Sequence, residues 1–385
     1  MITLLSTLVV GCSGKEPDTD PADGCVDAGS ICTVAGTGIA GLGAEGVDAL
    51  DSHLYLPQDL TFGPDGLPYI LDWNNHRIRR IGDDGTIQTI AGTGMLGDGP
   101  EGPMMTATFN HPTNIAFDSS GDLLLAAWHN SRVERLDLAT GSLSFECGTG
   151  GRGYNGDEID AKTAILDLPS GIVLDAQGRA WISDQANQLI RMVENGIIYD
   201  VAGGQRVIGY GGDGGPAESA IFHASVGQAA DPALRIALSG STLYIADTGN
   251  HMIRTLDIDT RMVSAFAGTA PVCDEAGTVC SSDNFGTGGD AGPALSAELY
   301  GPTDVAVGPG DEVYIADTSN HCVRVVGTDG VIDTFAGTCG VPGFDGDGGP
   351  ANEALLQRPY GVTVDPDGMV WIADSLNHVL RRVQN

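Results

Sequence analysis

The chain has 385 residues, 18% of them charged and 42% hydrophobic, which is enough apolar side chain for a core and argues against global disorder. Glycine takes 57 positions, about twice the ordinary ~7%, and points to tight turns rather than long helices. The formal charge is 18 − 51 = −33, with Lys15 and Lys162 the only lysines; such a surface excludes nucleic-acid phosphates and anionic headgroups as partners.

The first element in chain order is an apolar run, Ile2 to Val10, closed by Gly11-Cys12. It resembles the lipobox of bacterial lipoproteins, although no Lys or Arg precedes the apolar run. That resemblance implies a signal segment over 1–12, a lipid on Cys12, and a place in the bacterial cell envelope, at the outer membrane or cell surface, with plain secretion as the alternative. Residues 13–31 begin with the polar, proline-containing stretch SGKEPDTDPAD and read as a disordered tether. Cys25/Cys32 and Cys273/Cys280 lie in loop-like sequence and suit local disulfides in an oxidising envelope. A hairpin turn near Thr328-Asp329 would put Cys322 opposite Phe335, too far from Cys339 for a bridge unless the chain folds back. Cys147 has no evident partner.

From there a unit repeats six times, aligned on a hexad beginning at Asp72, Ala127, Asp184, Asp247, Asp317 and Asp374, with spacings of 55, 57, 63, 70 and 57 residues. Each unit holds an apolar run such as Leu60-Thr-Phe62, a turn such as Pro64-Asp-Gly66, a second run such as Tyr69-Ile-Leu71, and then the hexad. An Arg-bearing third run (Ile78 to Ile81) and a fourth run ending Ala-Gly-Thr (Ile90 to Thr93) complete it. Four short strands joined by tight turns form an antiparallel meander, and its radial repetition makes an all-β, six-bladed β-propeller over 32–385. The last unit stops after its third strand at Val379 to Val383, whereas Thr33-Val-Ala-Gly-Thr37 stands alone at the other terminus. The N-terminal strand is therefore expected to complete the last blade and close the ring.

Tyr360-Gly-Val-Thr-Val-Asp365, Trp371-Ile-Ala-Asp-Ser-Leu-Asn-His378 and Gly346-Asp-Gly-Gly-Pro-Ala351 resemble NHL-repeat proteins. The resemblance covers roughly Cys32 to Asn385 and implies the propeller fold, in a family that includes binding scaffolds, surface proteins and a few enzymes. The second unit departs from the pattern, with Ala127, Ser131 and Glu134 where Asp, His and Arg recur. The third has Gln188 for His, and in the fourth Ala224-Ser-Val-Gly227 replaces the usual Pro-x-Gly before the inner strand.

Parity places the long Gly-rich connections and the hexad turns at one end of the ring, with the short Asp-Gly turns at the other. Loops on a rigid scaffold are where binding usually resides. The Gly-x-Gly-x-x-Gly runs at Gly36, Gly92 and Gly148 end an outer strand and open no helix, so they are loop devices rather than dinucleotide sites. The Asn-His pairs at His76, His251, His321 and His378 belong to separate blades, where Asp and Asn bond turn amides and His packs on a neighbour. Asp345-Gly-Asp347-Gly lacks the Glu an EF-hand requires, Leu356 standing in its place. No cofactor is demanded by the sequence; Ca2+ is the ion its Asp-rich loops would suit.

The remaining candidate site is the mouth of the central channel, where the inner strands begin. It offers Gln58, Asp59, Thr113, Asn114, Ser170, Thr303, Asp304 and Tyr360, the fourth-blade pair Val226-Gly227, and His111 and Arg358 just before two of the strands. Propeller enzymes similar to gluconolactonases and paraoxonases hold a divalent ion on this axis, and Asp59, Asn114 and Asp304 supply the matching chemistry. The reading is a monomeric, envelope-anchored, non-catalytic binding module that takes a protein or small polar ligand on its long-loop face and meets the membrane only through the lipid. The alternative is a metal-dependent hydrolase or lyase with a divalent ion at the channel mouth.

Overall fold

Period-two alternation in each repeat produces strands of four to six residues, and a computed structural model of the chain describes residues 27–384 apart from 205, 228, 229 and 282. Six antiparallel sheets follow one another in sequence as the blades of a propeller. Cys12 and Cys25 lie outside the described residues. In the first blade the inner strand Pro57–Phe62 pairs with Pro68–Asp72, which pairs with Arg77–Ile81, which pairs with the outer strand Thr86–Ala91.

The last blade is closed from the opposite terminus. Ile31–Ala35 lies antiparallel to Val379–Val383, with Ile31 opposite Val383 and Thr33 opposite Arg381. Gly29 N–H donates to Gln384 O and Gln384 N–H to Ser30 O. The propeller therefore begins a few residues ahead of the boundary at 32 drawn from the sequence.

Each blade also has an element that the four-strand reading missed. In five blades the connecting segment supplies a two-residue strand, such as Val47–Asp48 or Gly102–Pro103, that pairs with the outer strand near its first residues. A Ser30–Pro350 bridge does the same in the sixth. The long connections thus lie only in part on the long-loop face. They descend along the outer edge to the level of the short turns, make a 3-10 turn, and climb back to the next inner strand. An outer strand otherwise presents a row of unpaired backbone groups, and this segment covers it.

The hexad locks each blade to its neighbours. Asp317 accepts from Tyr300 N–H at 2.7 Å and from Asn320 Nδ2 at 2.8 Å, while Asn320 also donates to Gly286 O. The fifth hexad residue is left-handed in all six blades, with φ between 50° and 59° from His76 to His378. That conformation turns the side chain onto the next blade. His251, His321 and His378 each accept at Nδ1 from the backbone N–H of the residue before the next blade's first proline, in Gly301, Arg358 and Leu56. The glycine after each outer strand passes close to this corner: a Cβ on Gly92 would lie 2.4 Å from His76 O.

The recurring arginines are buried. Arg79, Arg191, Arg254, Arg324 and Arg381 are 0% exposed, and each lies 3.5–4.0 Å from its hexad aspartate. Their outer partners include carboxylates of the connecting loops, Asp213, Asp290 and Asp347 among them. Hence the Gly-Asp-Gly loops, which suit calcium by composition, present their carboxylates to built-in cations. Between blades lie six apolar clusters; one joins Ala35, Trp371 and Leu380 of the last blade to Leu54, Leu60 and Ile70 of the first.

The second blade replaces this ion pair as a unit. Ala127 removes the hexad carboxylate and Glu134 takes the place of the arginine, while Arg132, two residues earlier, reaches Asp98 at 2.6 Å. Glu134 is buried, its Oε2 has no hydrogen-bond partner, and Arg132 Nε is 3.9 Å away. Burial pushes its carboxyl from 4.5 up to about 8. Between those two values the folded chain holds a proton that the unfolded chain has released, so stability falls as pH rises through the window. Glu134→Gln has no such proton to lose. Its stability relative to the parent, and with it the difference in melting temperature, should climb from pH 5 to pH 8, the stability by at most about 1.4 kcal/mol per pH unit. A pH-independent difference in thermal melts would refute this.

Two disulfides lie among the described residues. Cys273 and Cys280 pair as expected. Cys322 and Cys339 also pair, with Cα atoms 5.1 Å apart, contrary to the register argument. A bulge after Val323 shifts the pairing so that Val323 faces Ala336, and Gly337, at φ 83°, turns the chain back toward Cys322. Cys32 is disulfide-bonded, and Cys25, the partner expected for it, lies outside the described residues. Cys147 is a free, buried thiol that burial pushes up to about 12.

Candidate functional site at the channel mouth

Inner strands start at the axis, so the residues two positions after the entry proline or its equivalent form a ring: Asp59, Asn114, Gly171, Arg235, Asp304 and Gly361. The fourth member is Arg235 rather than Gly227. Leu234 N–H donates to Ala246 O as Thr113 N–H does to Ala126 O and Thr303 N–H to Ala316 O, which fixes the equivalence of Leu234 with Thr113 and Thr303. The segment around Val226 and Gly227 is instead a loop ahead of the strand, and Val226 is exposed.

Arg235 is fully buried on the axis and bonds to four other blades. One guanidinium nitrogen donates to Gln58 O at 2.8 Å and Tyr360 O at 3.3 Å, and lies 3.5 Å from an Asp304 oxygen. The other donates to Gln58 Oε1 at 3.2 Å and to Thr113 O. Around it the ring side chains tie each inner strand to the next. Asp59 accepts from Asn114 Nδ2 and Ile115 N–H, Asn114 accepts from Ile172 N–H, and Asp304 accepts from Val362 N–H. Burial pushes the Asp59 and Asp304 carboxyls upward, while the charge of Arg235 pulls them back.

The candidates from sequence thus divide. Gln58, Asp59, Thr113, Asn114, Ser170, Thr303, Asp304 and Tyr360 do converge, but as a buried belt closed by Arg235. Ser170 donates to Ala233 O and Thr303 to Tyr360 O. His111 and Arg358 stand above the belt, and Arg358 meets Asp231 at 3.2 Å. The three oxygen donors offered for a divalent ion already hold backbone amides, and two of them flank a guanidinium. Among the described residues no group of three or more His, Cys, Asp and Glu side chains is arranged to hold a metal ion. Below the belt a cavity of 230 Å3, lined by residues such as Ala116, Val173, Leu238 and Val364, runs toward the short-turn face.

Above the belt the long-loop face carries an apolar rim. Ile39, Met95, Val207, Val272 and Val341 are exposed three or four residues after the glycine that ends an outer strand, in five of the six connections, and Phe344 joins them. Phe285 and Tyr300 stack beside them at 4.3 Å. On the short-turn side Met105 and Leu295, in the 3-10 turns of two connections, and Met262, at the start of its outer strand, are exposed singly.

A ring of six four- to five-stranded sheets, sealed at one end by a charged belt, defines a six-bladed β-propeller. The chain is an NHL-repeat propeller: residues 299–326 match the NHL repeat model and residues 30–210 the Teneurin NHL domain model. Teneurin-m of Drosophila melanogaster is 28% identical over 361 residues, spanning 88% of this chain and 12% of the teneurin. NHL repeat-containing protein 2 of Homo sapiens is 25% identical over 288 residues, 67% of this chain and 37% of that protein. The chain therefore spans well under half the length of these relatives. In the fold, an auxiliary nutrient binding protein from Bacteroides thetaiotaomicron superimposes with a TM-score of 0.63 at 15% identity, covering 91% of this chain and 75% of that one.

Proposed function

We propose that the chain is a non-catalytic binding module whose contact surface is the apolar rim of its long-loop face. The rim carries this reading: it concentrates exposed Ile, Met, Val and Phe side chains at recurring positions on one end of an otherwise strongly acidic molecule. Apolar exposure gathered on one face marks interaction surfaces. The relatives named as teneurins and as a nutrient binding protein are compatible with a binding role. The hydrolase or lyase alternative draws less support, because the carboxylates it would use are committed to Arg235 and to backbone amides.

In this reading the chain is held at a bacterial envelope through Cys12. The closing strand begins on the short-turn side, so a tether leaving there turns the long-loop face outward. Capture from detergent-solubilised envelope tests the contact surface. A protein retained by the parent and by a Met262→Asp control, but lost with Met95→Asp plus Phe344→Asp, is the expected result. Equal retention by the rim variant would defeat the proposal. Incorporation of labelled palmitate that disappears in Cys12→Ala tests the anchor separately.

A further inference from the structure

The long-loop face carries one cluster of nitrogen donors that the belt does not use. In the second blade's hexad turn, the position after Trp128 is His129, and its ring faces His111 at the channel mouth. His111 Nδ1 lies 3.2 Å from His129 Nδ1 and 2.9 Å from Asn110 Oδ1. On the other side of the ring, His111 Nε2 lies 3.2 Å from Asn74 Oδ1. Trp73 packs on His111 with centroids 4.4 Å apart, and Trp128 stacks on His129 at 4.1 Å.

The proton inventory of this cluster is informative. In the tautomer that donates Nε2–H to Asn74 Oδ1, His111 carries a lone pair on Nδ1. That lone pair points into the space shared by the Asn110 oxygen and the second imidazole. His129 Nε2 is buried without a hydrogen-bond partner, so the ring makes its polar contact at Nδ1, toward His111.

His111 Nδ1 thus has a second imidazole nitrogen and an amide oxygen each about 3 Å away, the spacing of adjacent donors around an ion whose bonds are ~2.1 Å long. The remaining N–H of His111 is held by a side-chain oxygen, as a metal-ligating histidine normally requires. We infer that His111 and His129, with Asn110 Oδ1, form a binding site for a single divalent transition-metal ion. Imidazole ligation selects Cu2+, Ni2+ or Zn2+ over Ca2+ or Mg2+. The three residues are only partly buried, so open coordination positions face the long-loop side. This site is separate from the Asp59–Asp304 belt and does not depend on the binding role proposed above.

Cu2+ added to the intact, chelator-treated protein is the probe. Electron paramagnetic resonance at one equivalent should show coupling to two imidazole nitrogens, and tryptophan emission should fall to a plateau because Trp73 and Trp128 flank the site. His129→Gln and His111→Asn should each weaken the quenching midpoint by about tenfold or more, without loss of cooperative melting. A spectrum with oxygen ligands alone would mean that Cu2+ is bound by surface carboxylates, and the inference would fail. Quenching with an unchanged midpoint in both variants would overturn it equally. If a variant does not fold, the spectrum of the unaltered protein decides.

Discussion

Arg235→Met is expected to destabilise the propeller by about 3–5 kcal/mol at pH 8, because it leaves buried carboxylates without their cation. The lost partners span blades one, two, five and six, so the damage is not confined to one sheet. Asp59 and Asp304 would then face each other across the axis with burial unopposed. Their folded-state pKa values, already above the ordinary value of 3.8, would rise further. A carboxyl with a raised folded value contributes stability below its unfolded value and loses it as pH climbs through the folded one. The gap between variant and parent should therefore be narrow near pH 4 and widen toward pH 8. Adding Asp59→Asn and Asp304→Asn to Arg235→Met should recover most of the loss. Urea titrations at both pH values check this, and a deficit equal at pH 4 and pH 8 would show that charge is not its origin.

Removing residues up to Thr37 should have an effect of similar or larger size. The closing strand buries Ile31 and Ala35 completely and Cys32 almost so. It also supplies backbone hydrogen bonds to Val379–Val383. Burial of these side chains and the loss of about one kcal/mol per ladder bond give a cost on the order of 5 kcal/mol or more. The exposed edge would in addition be a template for pairing with another chain. Size-exclusion chromatography should show aggregates or higher oligomers, and the melt should lose its sharpness. A monomer with the parent's melting temperature would mean that the ring closes without this strand.

The architecture was legible because the hexad repeats and because each strand's apolar residues alternate. The ring closure followed from counting a missing outer strand against an unassigned Val34 neighbourhood. The belt was only half legible. Asp59, Asn114, Gly171, Asp304 and Gly361 each precede the first hexad residue of their own blade by 13 positions, and Arg235 precedes Asp247 by 12. Counting back 13 from the hexad comes within one residue of it, at Leu234; following the Pro-x-Gly pattern led instead to Val226-Gly227, since the fourth blade has no such pattern. The Cys322–Cys339 bridge was hidden by a one-residue bulge, which register counting from a turn does not include. His129 escaped notice because it occupies the third hexad position, where Asn, Ala, Gly, Ser and Leu stand in the other blades.

The contact between Gly29 and Gln384 has a further consequence. Polypeptide arriving at this ring and polypeptide departing from it do so at a single point on the circumference. Any flanking sequence, of whatever length, would thus suspend the disc like a pendant rather than thread it like a bead. The opposite surface is left unobstructed, and the two ends could be spliced and the chain reopened between any two blades without redrawing a single sheet.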